Sequence, residues 1–305
     1  MDTFPDFKAP GFNVDAYNAR FRDSNVIIHA STKDVSYPEH WGPVSVKCAF
    51  NGNEYYELDR CRYKVDDTGF LLLNEGQHYS SYIHSSATVE SFTINFSPAF
   101  VREVYAGWYS EACPHEGTAM QPPPFCERIY KHNGPASAQL FLLKRLSRDF
   151  YKHPERIEES YVLLLQALFQ LQLEESVRIK KIRAVKPATQ KELYQRLMRV
   201  RDYIDSSYSG DISLDQLAAV SCLNTSYLLR QFKLYFHITP RQYAIQKRMA
   251  EATRLLIKTN RSITEICYGV GYQDLTSFSK LFRQFYRVSP EVYRLQHCLK
   301  KSIFT

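Results

Sequence analysis

The chain uses one small unit twice, and this repeat constrains the fold more than any other feature. Residues 213–243 read "SLDQLAAVSCLNTSYLLRQFKLYFHITPRQY", and residues 262–293 read "SITEICYGVGYQDLTSFSKLFRQFYRVSPEVY". Leu214 falls on Ile263, Leu217 on Ile266, Ala218 on Cys267 and Leu223 on Tyr272, all at an offset of 49. One extra residue enters near Leu275. Leu228 then meets Phe278, Phe232 meets Phe282, Pro240 meets Pro290 and Tyr243 meets Tyr293, at an offset of 50. Self-similarity at a fixed period marks a supersecondary unit used more than once.

The residues say which unit it is. Ser213 with Gln216, and Ser262 with Glu265, fit capping boxes, so a helix is expected to begin at each. That helix is short and ends near Ser221 or Gly269. Small Ala218 and Cys267 allow a second helix to cross closely. Asn224 and Asp274 are good N-caps for that second helix. On it Leu228, Phe232 and Tyr235 share a face, as do Phe278, Phe282 and Phe285, which predicts a buried aromatic stripe. Short helix, tight turn and longer helix are helix-turn-helix spacing. Thr239-Pro240 and Ser289-Pro290 each begin a further helix, with Pro at its first position.

The opposite face of each second helix bears on function. It presents Ser226, Leu229, Arg230 and Lys233 in the first unit, and Thr276, Ser279, Lys280 and Arg283 in the second. A long cation can be bidentate to guanine, a hydroxyl reaches either base type, and an apolar side chain can touch a thymine methyl. Any soluble helix also shows a basic polar face, so charge elsewhere matters. The net charge of +7 is unevenly spread: Ser176–Thr305 carries +14 and the first 175 residues carry −7. A basic half beside an acidic half points the second half at a polyanion.

The first half is patterned differently. "VSVKCAF" (44–50), "EYYEL", "CRYKV", "FLLLN" and "VESFTINF" (89–96) are short segments separated by "NGN", "DDTG" and "EGQ". Such spacing predicts antiparallel hairpins in a sandwich or small barrel. Helices follow: one from Ser97-Pro98, then 136–152 and 155–182, with a "QPPP" loop (121–124) between. The last of these carries a broad apolar stripe of Leu164, Leu165, Leu168 and Phe169. It is expected to pack on the sheet or hold a second copy of the chain. "AVKPATQ" (184–190) reads as a linker, and a helix over 190–206 leads into the repeat.

Several function classes find no support in the sequence. No stretch joins a basic region to an apolar one as a signal peptide would. The most apolar run, 161–171, is broken by Gln166 and is too short to span a membrane. Seven cysteines without a C-x-x-C pair suit reduced thiols in a cytosol. "GVG" (269–271) follows a helix, so it is no phosphate loop. No catalytic motif or cofactor site emerges.

Residues 190–297 resemble the DNA-binding domain of the AraC/XylS family of bacterial transcription regulators. The resemblance is carried by "SITEICYGVGYQDLTSFSKLFRQFYRVSPEVYR", by "LAAVSCLNTSYLLRQFK" and by the joining segment "RMAEATRLLIKTN". It implies that Ser226, Leu229 and Arg230, then Leu275, Thr276, Ser277, Ser279 and Lys280, face DNA bases. Three departures stand out. Cys222, His237 and Tyr286 occupy places where such regulators commonly have Gly, and the last two put the usual left-handed helix cap in doubt.

More weakly, "FLLLNEGQHYS" (70–80) is similar to the cupin-like sensor of such regulators. The fold implied is α+β: a cupin-like antiparallel β-barrel with a helical extension over 1–184, then an all-α domain over 187–305 with helix-turn-helix units at 213–234 and 262–285. The barrel would bind a small effector, with Trp41, His78, Tyr79 and Tyr82 as candidate contacts. A metal cupin needs an H-x-H, which is absent, so no metal is expected. The resemblance further implies a cytoplasmic homodimer, joined through the 155–182 helix, with promoter DNA and RNA polymerase as partners. The alternative is an enzyme, of cupin or alkyl-transfer type, delivered to DNA by the same domain. The Cys113-Pro114-His115 stretch evokes the second, but the Pro-Cys-His-Arg order that chemistry needs is absent.

Overall fold

The computed structural model describes residues 22–58, 61–112, 121–182 and 187–302, with isolated positions 11, 13, 16 and 19 before them. The Cys113–His115 stretch and residues 184–186 of the expected linker lie outside the described residues. Contacts divide the chain into two compact units, Met1–Gln195 and Arg196–Thr305.

The first unit is built on one antiparallel sheet. Its strands are β1 (Val26–Trp41), β2 (Ser45–Phe50), β3 (Glu54–Leu58), β4 (Cys61–Val65), β5 (Gly69–Leu73), β6 (His78–Asn95) and β7 (Arg128–Lys131). The organiser is β6, of 18 residues. Along one edge it pairs with β1 from Val26↔Asn95 to Trp41↔His78. Along the other edge its C-terminal half pairs with β2, through Ser45↔Asn95 to Phe50↔Glu90. Its N-terminal half pairs with β3, through Tyr55↔Tyr82. The sheet therefore forks on that side, into β2-β5-β7 and β3-β4, and curls into a nearly closed barrel. The expected "VESFTINF" strand is only the second half of β6. Strand β7 has no signal in the sequence, because its four residues follow a Pro-rich loop with no alternation of their own.

Both faces of β2 are buried, Ser45 and Lys47 included. On the outer face Val46, Cys48 and Phe50 join Phe70, Leu72, Phe92, Ile94 and Phe96, and three helices cover them. These are α1 (Pro98–Ala112), α2 (Pro135–Leu146) and α3 (Pro154–Lys180). Ser97 Oγ accepts from the Phe100 amide at 3.3 Å, as its expected cap position requires. The helix expected over 136–152 stops earlier. Its last turn tightens into a 3-10 segment, Ser147–Lys152, and His153 leaves the helical region (φ −139°, ψ 49°). The cause is Pro154, which disfavours helical backbone in the residue before it. Leu164, Leu165, Leu168 and Phe169 of α3 are at most 2% exposed and pack into the core of their own unit. That stripe is consumed by the sheet, so it does not form an outward face. The exposed apolar residues of α3 are Leu163, Leu173 and Val177.

The remaining helices are α4 (Pro187–Ser207), α5 (Leu214–Ser221), α6 (Thr225–Phe236), α7 (Pro240–Lys258), α8 (Ile263–Gly269), α9 (Leu275–Tyr286) and α10 (Pro290–Ser302). Pro187, expected in the linker, instead opens α4. Proline is tolerated in a first turn, where its missing N–H has no partner to lose.

Candidate nucleic-acid interface

The repeat folds as two like units, α5-α6 and α8-α9, joined by α7. Their start signals are local. Ser213 and Ser262 close both capping boxes, each side chain accepting from the amide three residues on while Gln216 or Glu265 reaches back. Asn224 Oδ1 accepts from the Tyr227 amide at 2.8 Å. Asp274 accepts from Thr276 and Ser277, and those bonds hold its carboxyl below the usual carboxylate range. Pro240 and Pro290 lie at the first positions of α7 and α10.

Packing then fixes which face is hidden. Leu228, Phe232, Phe278 and Phe282 are fully buried. The third member of each expected stripe is corrected: Tyr235 is only half-buried, and Phe285 is 40% exposed. The seat goes instead to the residue four beyond each buried Phe. Phe236 packs on Phe232 at 4.3 Å and Tyr286 on Phe282 at 4.7 Å, and both also meet a tyrosine of the next helix, Tyr243 or Tyr293. Arg248 of α7 ties down the approaches. Its guanidinium donates to the carbonyls of Tyr208, Gly210 and Gly271 at 2.6, 2.8 and 3.0 Å.

The turns show how the repeats diverged. Cys222 and Gly271 are equivalent, and both are left-handed, at φ 50° and 91°. A Cβ on Gly271 would lie 2.8 and 2.9 Å from the carbonyl carbon and Cα of Ser209, so only glycine fits there. Cys222 has room, and its carbonyl accepts from Arg196 at 2.7 Å. The doubted caps also form. His237 (φ 63°) and Arg287 (φ 66°) close α6 and α9 in the left-handed region. Arg287, not Tyr286, is the equivalent of His237, because the extra residue near Leu275 shifts the register by one.

With the apolar face turned inward, the polar stripe turns out. Ser226, Arg230 and Lys233 are exposed and Leu229 is half-buried. In the second unit Thr276, Ser277, Lys280 and Arg283 are exposed, while Leu275 and Ser279 are half-buried. Arg230 lies over the Tyr227 ring, 5.3 Å from its centroid, which restricts the side chain before any partner arrives.

The four effector candidates do not converge. Tyr79 is buried inside the barrel, where its hydroxyl accepts from Lys47 at 2.9 Å. Tyr82 points to the other face and stacks on Tyr55 at 5.2 Å, beside Arg62. His78 is exposed and lies 3.5 Å from Glu39, and Trp41 is half-buried. Strand alternation separates Tyr79 from Tyr82.

The interior instead gathers residues that no motif marks: Lys47, Glu54, Tyr56, Ser91 and Thr93, all at most 5% exposed. Burial pushes the Glu54 carboxyl up, against hydrogen bonds from Ser91 and Tyr56 and the charge of Lys47. Its Oε2, like Ser45 Oγ, has no hydrogen-bond partner. His40 faces Tyr79 across β1 and β6, with rings 4.4 Å apart, and burial lowers its pKa to about 4 despite its bond to the Pro38 carbonyl. One signal for this cluster lies in "VSVKCAF", where a lysine sits in a run otherwise without charge. Separately, a cleft of about 320 Å³ is lined by Val44, Asn74, Glu75, Arg102 and residues 121–125, and by none of the four candidates. Among the described residues no three His, Cys, Asp or Glu side chains are grouped as metal ligands.

A family model described as "Helix-turn-helix domain" matches residues 217–296. The chain carries a helix-turn-helix domain there. Over 94 residues it is 37% identical to an uncharacterized HTH-type transcriptional regulator, YdiP, of Escherichia coli (strain K12), covering 31% of each chain. Over 133 residues it is 31% identical to the lactose operon transcription activator of Staphylococcus xylosus, covering 44% of this chain and 47% of that one. The chain thus spans less than half the length of either relative. Among solved structures, the C-terminal domain of the response regulator yesN from Fusobacterium nucleatum is 33% identical, with 31% of this chain and 93% of that one covered and a TM-score of 0.30. In this domain α6 and α9 are the second helices of the two helix-turn-helix units, and their exposed stripes are the surfaces described above.

Proposed function

We propose that the protein is a sequence-specific transcription regulator that binds promoter DNA through α6 and α9 and responds to a small molecule. The observation that carries this is the pair of like helix-turn-helix units, each turning a stripe of hydroxyls and cations outward, on the half of the chain that carries +14. Ser226, Leu229, Arg230 and Lys233 would enter one major groove. Leu275, Thr276, Ser277, Ser279, Lys280 and Arg283 would enter the next, about 10 bp away. The relatives are transcription regulators, which supports a non-catalytic role in the cytoplasm, with RNA polymerase as a further partner. No described helix is long and apolar enough to cross a membrane.

Residues 1–184 would sense the effector and dimerise, and residues 187–305 would bind DNA. The barrel interior around Lys47, Glu54, Tyr56 and Tyr79 is the favoured effector site, because buried polar atoms without partners are satisfied by a polar ligand or water. The exposed side of α3, with Leu163, Leu173 and Val177, would hold the second protomer.

Selection from random DNA tests the reading. Arg230→Ala and Lys280→Ala should each relax preference at one base pair and weaken binding by about 1–3 kcal/mol. A motif unchanged in both variants would show that neither residue reads bases.

A further inference from the structure

Each second helix ends on a strained basic residue at the same place in the repeat. His237 and Arg287 hold φ of 63° and 66°, where a side chain is disfavoured and glycine is at ease. Neither position is crowded into that choice, since both side chains are exposed. Neither has a hydrogen bond or ion pair through its side chain among the described residues. Ile238 and Val288 follow, half-buried, and anchor the chain before the next helix.

Position at the helix end gives these residues a place. At 3.6 residues per turn, Ser226, Arg230 and Lys233 fall on one line, as do Thr276, Lys280 and Arg283, and His237 or Arg287 follows directly at the C-terminal end of the helix. Each line begins with a hydroxyl at the N-terminal end, where bases are reached, and runs through cations towards the cap. The cap lies about 16 Å of helix beyond the first of these residues, at 1.5 Å per residue, and so beyond the groove floor. A phosphate backbone borders a groove there, and phosphate contacts fix register without reading sequence. A side chain that the fold itself would replace with glycine, placed twice at the C-terminal end of a reading helix and exposed, has a use outside the folded chain.

The geometry points to His237 and Arg287 as paired phosphate contacts, one closing each reading helix against the DNA backbone. This rests on the DNA-binding reading above. It adds two residues that set affinity and register and leave base preference to the stripes.

The test uses the full chain and its selected duplex, with binding measured by fluorescence anisotropy over a series of salt concentrations. His237→Gly and Arg287→Gly should melt at or above the wild-type temperature, because the left-handed cap is relieved. Each should bind DNA about tenfold more weakly. For Arg287→Gly the slope of log K against log salt should become shallower by about 0.9, the value for one lost phosphate contact. Arg287→Lys should restore that slope. The motif recovered by selection should stay unchanged in all three. Affinity and slope equal to wild type would overturn the proposal, since the residues would then be caps alone. A changed motif would overturn it too, by making them base contacts. Failure of the wild-type protein to bind DNA in a salt-dependent way would remove the underlying reading first, and this proposal with it.

Discussion

Substituting the two equivalent turn residues should move stability in opposite directions. Gly271 is held at φ 91°, and an added Cβ would press on the Ser209 backbone, which cannot swing aside as a side chain tip can. The left-handed backbone alone disfavours alanine by about 1–2 kcal/mol. Displacing the packed 208–210 segment, which Arg248 pins through two of its carbonyls, adds about 1–3 kcal/mol. Gly271→Ala should therefore cost about 2–5 kcal/mol, a large part of the stability of a domain that has about 5–15. Cys222→Gly removes the same backbone strain without a clash. It gives back about 0.5–1 kcal/mol through the greater freedom of glycine in the unfolded chain, so the net change should lie between zero and about 1.5 kcal/mol of stabilisation. Both tryptophans, Trp41 and Trp108, belong to the first unit. In a urea titration their fluorescence therefore follows that unit, while far-UV circular dichroism follows both. Gly271→Ala should move the dichroism transition to lower urea and leave the fluorescence midpoint in place. If it stays within about 1 kcal/mol of wild type, the close approach to Ser209 does not constrain the turn and the argument fails.

Three further outcomes are expected. Glu175 is fully buried and accepts from Arg128, Arg178 and Tyr194; Glu175→Ala removes the buried carboxylate these three groups share and should destabilise the first unit by about 3–5 kcal/mol, read as a shift of the tryptophan fluorescence midpoint. The Glu90 carboxyl is raised by burial but lowered more by bonds from Lys144 and His29, at 2.7 and 2.6 Å, so its net pKa is depressed. That contribution is present above the ordinary carboxylate pKa and lost as pH falls through the folded one. Glu90→Gln should be less stable than wild type at pH 7, with the gap closing in acid; a gap independent of pH would exclude the charge. Finally, Leu173→Glu with Val177→Glu should convert a dimer to monomer in sedimentation without unfolding it, whereas a double variant that still dimerises would move the interface off this face of α3.

The local parts of this protein are legible in its sequence, and the parts made by distant residues are not. Capping boxes at Ser213 and Ser262, N-caps at Asn224 and Asp274, and prolines opening α7 and α10 each act within one turn. That is why the doubled helix-turn-helix and its exposed stripes follow from residue order alone. Tertiary packing decided the rest. Residue spacing allows Phe285 or Tyr286 beside Phe282, and the ring of Tyr293, arriving from α10, settles it. The apolar stripe of α3 is by its spacing equally suited to a partner and to the sheet, and the sheet takes it. The effector candidates cluster along the chain, but a strand sends neighbours to opposite faces, so Tyr79 and Tyr82 part. Lys47 and Tyr56 meet Tyr79 from two other strands, and Glu54 lies beside Tyr56 and Lys47. Periodicity and capping depend on the nearest few residues, whereas a binding cavity is assembled by strand register, which a single sequence does not specify.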